Sequence, residues 1–254
     1  MLQKIVDTVK EAGELIRRVS RGCEKEEKGS PANLVTEYDR AVQKFLMEEL
    51  GKEFPHARFV GEEEEEHRFC NEGQLFIIDP IDGTANFVHG FGMSAISVAL
   101  LENGRAVCGV VYNPYTDEMY SAELGGGAYL NGERMHVSSR SLCEGLLIFG
   151  SSPYNEELQD LTFTLLRRLM KEMADIRRLG SAALDLCHLA AGRADAFFEA
   201  VLRPWDYAAG ALILQEAGGR ITDRKGEPLP YDRSSFVVAG TPETFDAVWK
   251  MVRA

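Results

Sequence analysis

The octapeptide Ile77-Ile78-Asp79-Pro80-Ile81-Asp82-Gly83-Thr84 constrains this chain more than any other stretch. An apolar strand starting at Leu75 runs straight into two acids three residues apart, a glycine and a hydroxyl. Proline has no N–H to give a sheet ladder, so the chain is expected to leave the sheet at Pro80. The turn then aims both carboxylates and the Ile81 carbonyl at one point, as in the oxygen cage of a hard cation. Gly83 lets backbone approach a ligand closely, and a helix opening at Thr84 offers its free N–H groups to an anion. Asp, Pro and Gly are also turn formers, so the D-x-x-D spacing by itself leaves a plain turn and a metal site evenly matched.

Charge bears on that choice. The 254 residues carry 40 acids against 28 bases, a formal net charge of −12, which repels a nucleic-acid backbone at long range. The same balance opposes a phosphorylated ligand unless cations in the site reverse the local field. Hydrophobic residues at 45% and charged residues at 27% describe an ordinary globular chain. Five scattered cysteines without a C-x-x-C pair indicate neither a disulfide framework nor a zinc site and fit a reducing cytoplasm. The N-terminus reads as an amphipathic helix with Leu2, Ile5, Val6, Val9, Ile16 and Val19 on one face, not as a signal peptide. No apolar run approaches the ~18 residues of a membrane span.

Along the chain, residues 22–35 read as a polar loop. Thr36 then reads as an N-cap with Asp39 three residues on, opening a helix that Gly51 ends. Strands are expected near 75–78, 96–101, 106–112, 119–123, 128–130 and 135–137, with Asn131-Gly132 as a hairpin turn and Gly125 to Gly127 as turn residues. From Leu146 helices and strands alternate: strand 146–149, helix 155–173, strand near Ile176, helix 181–191, strand 194–198, helix 206–217, strands near Ile221 and 236–239, and a helix opening at Pro242. The division falls between an N-terminal α+β lobe, residues 1–142, and a C-terminal α/β lobe, residues 143–254, with the site between them.

Residues 79–90, DPIDGTANFVHG, resemble the metal-binding signature of the inositol monophosphatase family. The resemblance covers nearly the whole chain through four further blocks: residues 28–39 (KGSPANLVTEYD), Gly61-Glu62-Glu63, Gly180-Ser181-Ala182-Ala183 and residues 204–210 (PWDYAAG). It implies a five-layer α-β-α-β-α sandwich of the sugar-phosphatase type. It also implies Mg²⁺, two to three ions per site, held by Glu62, Asp79, the Ile81 carbonyl, Asp82 and Asp206, with Asp79 bridging. The resemblance further implies that Asp39 and Thr84 form a dyad that, with Glu62, orients and helps deprotonate the attacking water. Substrate contacts are implied for Glu62, Ile81, Asp82, Gly83, Thr84, Gly180, Ser181, Ala182, Glu199 and Asp206, with Lys28 and Ser151 as weaker matches.

From the residues alone, Asp39 is equally a capping-box acid, Asp206 a helix-start acid, and Glu62 the head of a solvated acidic run that continues through Glu64, Glu65 and Glu66. Ala85 departs from the usual threonine of the pattern, which alters a contact near the phosphate and leaves metal binding intact. His89 reads as a packed or surface histidine. The resemblance implies hydrolysis of inositol monophosphate in the cytoplasm by a lithium-sensitive homodimer. Fructose-1,6-bisphosphatase, nucleotide 3′-phosphatase and histidinol-phosphate phosphatase activities share the same metal acids, and some bacterial relatives associate with the transcription machinery.

Overall fold

Strand alternation sorts the apolar side chains into three cores. In a strand, successive side chains point to opposite faces, so Phe76 and Ile78 join one core while Ile77 between them joins another. The computed structural model describes residues 1–17, 25–27, 34–153 and 155–254. Lys28, Cys23 and Val19 lie outside these described residues.

The first half comprises α1 (Leu2–Arg17), β1 (Lys25–Glu27), β2 (Leu34–Thr36), α2 (Glu37–Glu53), β3 (Arg58–Gly61), β4 (Gln74–Asp82), α3 (Thr84–Val88), β5 (Ala95–Glu102), β6 (Arg105–Asn113), β7 (Glu118–Glu123), β8 (Gly127–Leu130) and β9 (Glu133–Met135). Strands β3 to β9 form one seven-stranded sheet in sequence order, antiparallel except for the β3/β4 pair. The second half comprises β10 (Leu146–Phe149), α4 (Glu156–Leu169), β11 (Asp175–Arg177), α5 (Ala182–Ala190), β12 (Ala196–Leu202), α6 (Pro204–Glu216), β13 (Arg220–Thr222), β14 (Ser235–Gly240) and α7 (Phe245–Arg253). Its five-stranded sheet runs β11-β10-β12-β14-β13.

Helices α1 and α2 bury Ile5, Val9, Val42 and Leu46 against Phe76, Ile78, Val98 and Leu100 of the large sheet. The opposite face of that sheet, with Ile77, Ala99 and Leu101, packs on α5 and α6, whose far sides meet Phe197, Val237 and Ala239 of the small sheet. Ala196, Phe198 and Val238 then face Leu165, Leu169, Val248 and Val252 of α4 and α7. The order is α-β-α-β-α. Helix α6 is buried all round, from Trp205 and Tyr207 to Leu214, because both sheets enclose it. It approaches β6 so closely that a Cβ on Gly109 would lie 2.7 Å from the Ala209 carbonyl oxygen.

Several expected boundaries move. The segment expected as a loop contains the antiparallel β1/β2 pair. Helix α2 passes Gly51 to reach Glu53, and the Phe54 N–H closes it on the Leu50 carbonyl. Asn155 is the N-cap of α4, which stops at Leu169 rather than Met173, and β9 ends at Met135 rather than Val137. The last helix opens at Phe245, three residues beyond Pro242, after a turn in which Thr244 and Phe245 both donate to the Thr241 carbonyl. Asn131-Gly132 does form the hairpin turn, with both residues at positive φ. The chain does not leave the sheet at Pro80. Strand β4 continues to Asp82 through a register irregularity between Asp79 and Asp82, which accommodates the missing N–H.

Candidate active site

The irregularity in β4 is where the site begins. Two residues, Pro80 and Ile81, stand on β4 where β5 supplies one between the paired positions Asp79/Ser97 and Asp82/Ala95. Such a bulge re-aims side chains, and here the Ile81 N–H donates to Asp79 Oδ1 at 3.0 Å. Glu62 follows β3, its N–H donating to the Ile78 carbonyl at 3.1 Å, so it joins the carboxyl end of the parallel β3/β4 pair. Ser97, opposite Asp79, donates its hydroxyl to the Trp205 carbonyl at 3.2 Å and fixes the start of α6 against the sheet. Asp206 is the third residue of α6, behind Pro204 at its first position, and accepts from the Arg203 N–H at 2.6 Å. One carboxylate oxygen each from Asp79, Asp82 and Asp206 falls within 4.8 Å of the others.

Asp82 also crosses to the second half of the chain. Its Oδ2 accepts from Ser181 Oγ at 2.5 Å and from the Ala183 N–H at 2.7 Å. Ser181 is at the same time the N-cap of α5, accepting from the Leu184 N–H at 3.3 Å. Gly83 and Gly180 face each other across this seam, and both hold positive φ. A Cβ on Gly83 would sit 2.9 Å from the Gly180 carbonyl oxygen and 3.0 Å from that of Met93. Asn86 locks the seam, its amide donating to the Met93 and Leu179 carbonyls at 2.7 Å each.

Asp39 does both things the sequence allows it. Its Oδ2 completes the capping box of α2, accepting from the Thr36 N–H at 2.7 Å and the Thr36 hydroxyl at 2.5 Å. Its Oδ1 lies 3.3 Å from the Thr84 hydroxyl, which is also 3.1 Å from the Ile81 carbonyl. Asp39 is fully buried and stands behind Thr84 rather than in the cavity wall.

A cleft of about 770 Å³, counting the open solvent at its mouth, brings together Glu62, Asp79, Ile81, Asp82, Gly83, Thr84, Gly180, Ser181, Ala182, Glu199 and Asp206. Sequence reading missed Arg178, Asp185 and Ser152 near them. Glu199 does not end its strand, since β12 continues to Leu202 through an irregularity of register between those two residues. Its Oε1 accepts from both the N–H and the hydroxyl of Ser152 at 3.2 Å, and a Cβ on Gly150 would collide with its carboxylate. Ser151, the neighbour of that serine, instead accepts from Arg178 at 3.2 Å. Only one signal pointed to Asp185: it lies four residues after Ser181, one helical turn on and on the same face.

The acids are held under strong electrostatic pressure. Burial first, then the charges of Glu62, Asp82, Asp206 and Asp39, push the Asp79 carboxyl well above the usual carboxylate range. Burial pushes Asp82 up to about 6 against the opposing bonds from Ser181 and Ala183. Asp206 is raised by burial and then by Asp82 and Glu62. Burial lifts Glu199 to about 7, opposed by Ser152. Crowded, buried like charges persist only by taking up protons or a cation. An all-oxygen donor set of three carboxylates with a carbonyl beside it suits a hard divalent ion.

The cavity between the two sheets is acidic, and its carboxylates suit a divalent cation. Residues 1–253 match the inositol monophosphatase family, and the chain belongs to it as a phosphatase. The inositol-1-monophosphatase of Rhizobium meliloti (strain 1021) is 45% identical over 208 residues, covering 82% of this chain and 78% of the relative. Nus factor SuhB of Escherichia coli (strain K12) is 36% identical over 257 residues, covering 100% and 96%. Among solved structures, an IMPase/NADP phosphatase complexed with Mg²⁺ and phosphate superposes with a TM-score of 0.88 at 25% identity, covering 99% of this chain and 94% of that one. Among the described residues no helix is long and apolar enough to cross a membrane.

Proposed function

We propose that the protein hydrolyses the phosphate monoester of a small polyol, myo-inositol 1-phosphate foremost, with two to three Mg²⁺ ions. The observation that carries this reading is the cluster of Asp79, Asp82 and Asp206 oxygens in the same cavity wall as Glu199. Glu62, Asp79, the Ile81 carbonyl, Asp82 and Asp206 would hold the ions. Bound there, Mg²⁺ supplies Lewis-acid polarisation of the phosphate and lowers the pKa of water.

The chain's own groups do the rest. The Thr84 hydroxyl has one proton and two acceptors in reach, Asp39 Oδ1 and the Ile81 carbonyl. When the carbonyl is engaged elsewhere, the proton goes to Asp39 and the hydroxyl oxygen is left to accept from the attacking water. Glu62 assists from the β3 side. The Gly83 backbone and the amides at the start of α3 face the phosphate, while Gly180, Ser181, Ala182 and Glu199 meet the polyol. Glu199 accepts hydrogen bonds from its hydroxyls. The chain works as one catalytic unit of two lobes, residues 1–142 and 143–254.

The test is a substrate panel. Purified protein with Mg²⁺ is assayed on inositol 1-phosphate, fructose 1,6-bisphosphate, adenosine 3′,5′-bisphosphate and histidinol phosphate, and the highest kcat/KM is expected on the first. Another winner would reassign the substrate, and no turnover on any would sink the catalytic reading. Family membership also supports a cytoplasmic homodimer inhibited by Li⁺, which sedimentation, fractionation and a LiCl titration check. The Nus factor relative favours a second role in transcription. With a net charge of −12, that role runs through a protein partner rather than through nucleic acid.

A further inference from the structure

One carboxylate in the cavity is left unused by the reaction described above. Asp185 stands in the first turn of α5, is 1% exposed, and lines the cavity together with Glu199 and Asp82. Among the described residues its Oδ1 has no hydrogen-bond partner. A buried acceptor left without a partner costs about 1–3 kcal/mol, and a charged one more. The other orphaned buried side-chain atoms, Thr162 Oγ1 and Trp249 Nε1, do not line the cavity. Among the described residues, Asp185 is therefore the one of these three that belongs to the cavity wall, where a ligand's hydroxyl would supply a donor to its carboxylate.

We propose that Asp185 is a specificity-determining residue which, beside Glu199, accepts a hydrogen bond from a second hydroxyl of the polyol. The inference rests on the polyol-phosphate reading above. Its geometry follows the start of α5. Asp82, at the acid cluster, takes its bonds from Ser181 and Ala183, and Asp185 lies one helical turn beyond Ser181. Glu199 enters from β12, with its Oε1 already occupied by Ser152. A substrate with its phosphate at Asp79, Asp82 and Asp206 thus extends its hydroxyl-bearing ring toward two separately held carboxyls. A hydroxyl fits this end better than a second cation cluster does, because it pairs with a carboxyl in either protonation state and brings no charge needing further ligands.

The experiment compares wild type with Asp185→Ala, which removes both carboxyl oxygens, on myo-inositol 1-phosphate and on p-nitrophenyl phosphate, which has no polyol. The ratio of the two kcat/KM values is expected to fall about tenfold in the variant, mainly through KM, as for one lost hydrogen bond. Equal losses on both substrates would mean a structural role and overturn the proposal. Mono-deoxy analogues of inositol 1-phosphate give a reading on wild type alone: two ring hydroxyls, not one, should each cost about tenfold when removed. One of them should lose its effect in Asp185→Ala and the other in Glu199→Gln. A single costly hydroxyl overturns the assignment. Wild-type protein that cleaves p-nitrophenyl phosphate but no polyol phosphate removes the polyol reading itself, and this inference with it.

Discussion

The two ends of the cavity hold their acids in opposite ways. At one end Asp79, Asp82 and Asp206 come from a strand bulge and a helix start, and their oxygens crowd within 4.8 Å of one another. At the other end Glu199 sits within a strand, tied to Ser152, and Asp185 within a helix, each held by its own element. Crowded acids call for a cation shared between them, whereas acids outside that cluster, each tied to its own element, call for neutral donors, one each. The first end suits bond breaking that is indifferent to the alcohol, and the second suits choosing the alcohol.

The sharpest way to break that contrast is at Asp79. Asp79→Asn should lower turnover of inositol 1-phosphate and p-nitrophenyl phosphate together, on the order of 10³-fold or more, while circular dichroism shows the fold intact. A variant that stays active on either substrate removes Asp79 from the cation site. Glu199→Gln tests the other end and should shift selectivity rather than chemistry. The inositol 1-phosphate to p-nitrophenyl phosphate ratio of kcat/KM is expected to drop about tenfold. A loss as large as that of Asp79→Asn, equal on both substrates, would show that the two ends are not separate.

The crowding should also be visible in stability. Asp82 has its folded pKa raised from 3.8 to about 6, and Asp79 and Asp206 move in the same direction. Across that interval the folded state binds more protons than the unfolded state, so the metal-free protein loses stability as pH rises from about 4 to 7. Mg²⁺ relieves the repulsion only where the acids are ionised. Differential scanning calorimetry should therefore show saturating Mg²⁺ raising Tm by about 5 °C or more at about pH 8, and by clearly less at about pH 5. A larger gain at low pH would contradict the assignment of these acids.

How much of this could be read from the sequence follows the same contrast. The crowded end lies largely within one contiguous string, so Asp79, Ile81, Asp82, Gly83 and Thr84 were legible together. Glu62 and Asp206 were legible only as members of ordered family blocks, because an acidic run and a helix-start acid look the same without partners. Pro80 misled on the strand end, since a bulge can absorb the missing N–H without ending the strand. The apolar run Leu75 to Ile78 marked a strand but not which helices cover its faces; those are α1 and α2 on one and α5 and α6 on the other. Asp185 and Ser152 stayed hidden because their meaning arises from neighbours 14 and 47 residues away on β12.

The smallest expected effect is that of Thr36→Ala, beside Asp39, where stability and chemistry meet on one carboxylate. Oδ2 belongs to the cap of α2 and Oδ1 to the Thr84 hydroxyl. Thr36→Ala removes the cap's hydroxyl, which accepts from the Tyr38 and Asp39 N–H groups, yet leaves the Thr36 N–H to hold Oδ2. It should cost about 1 kcal/mol in urea unfolding, as lost N-caps do, with kcat on inositol 1-phosphate changed by less than about threefold because Oδ1 keeps its place. Thr84→Ala should do the reverse, leaving the α2 cap whole and lowering kcat by about 10². If Thr36→Ala loses as much turnover as Thr84→Ala, the cap is what aims the acid, and the two roles of Asp39 are one.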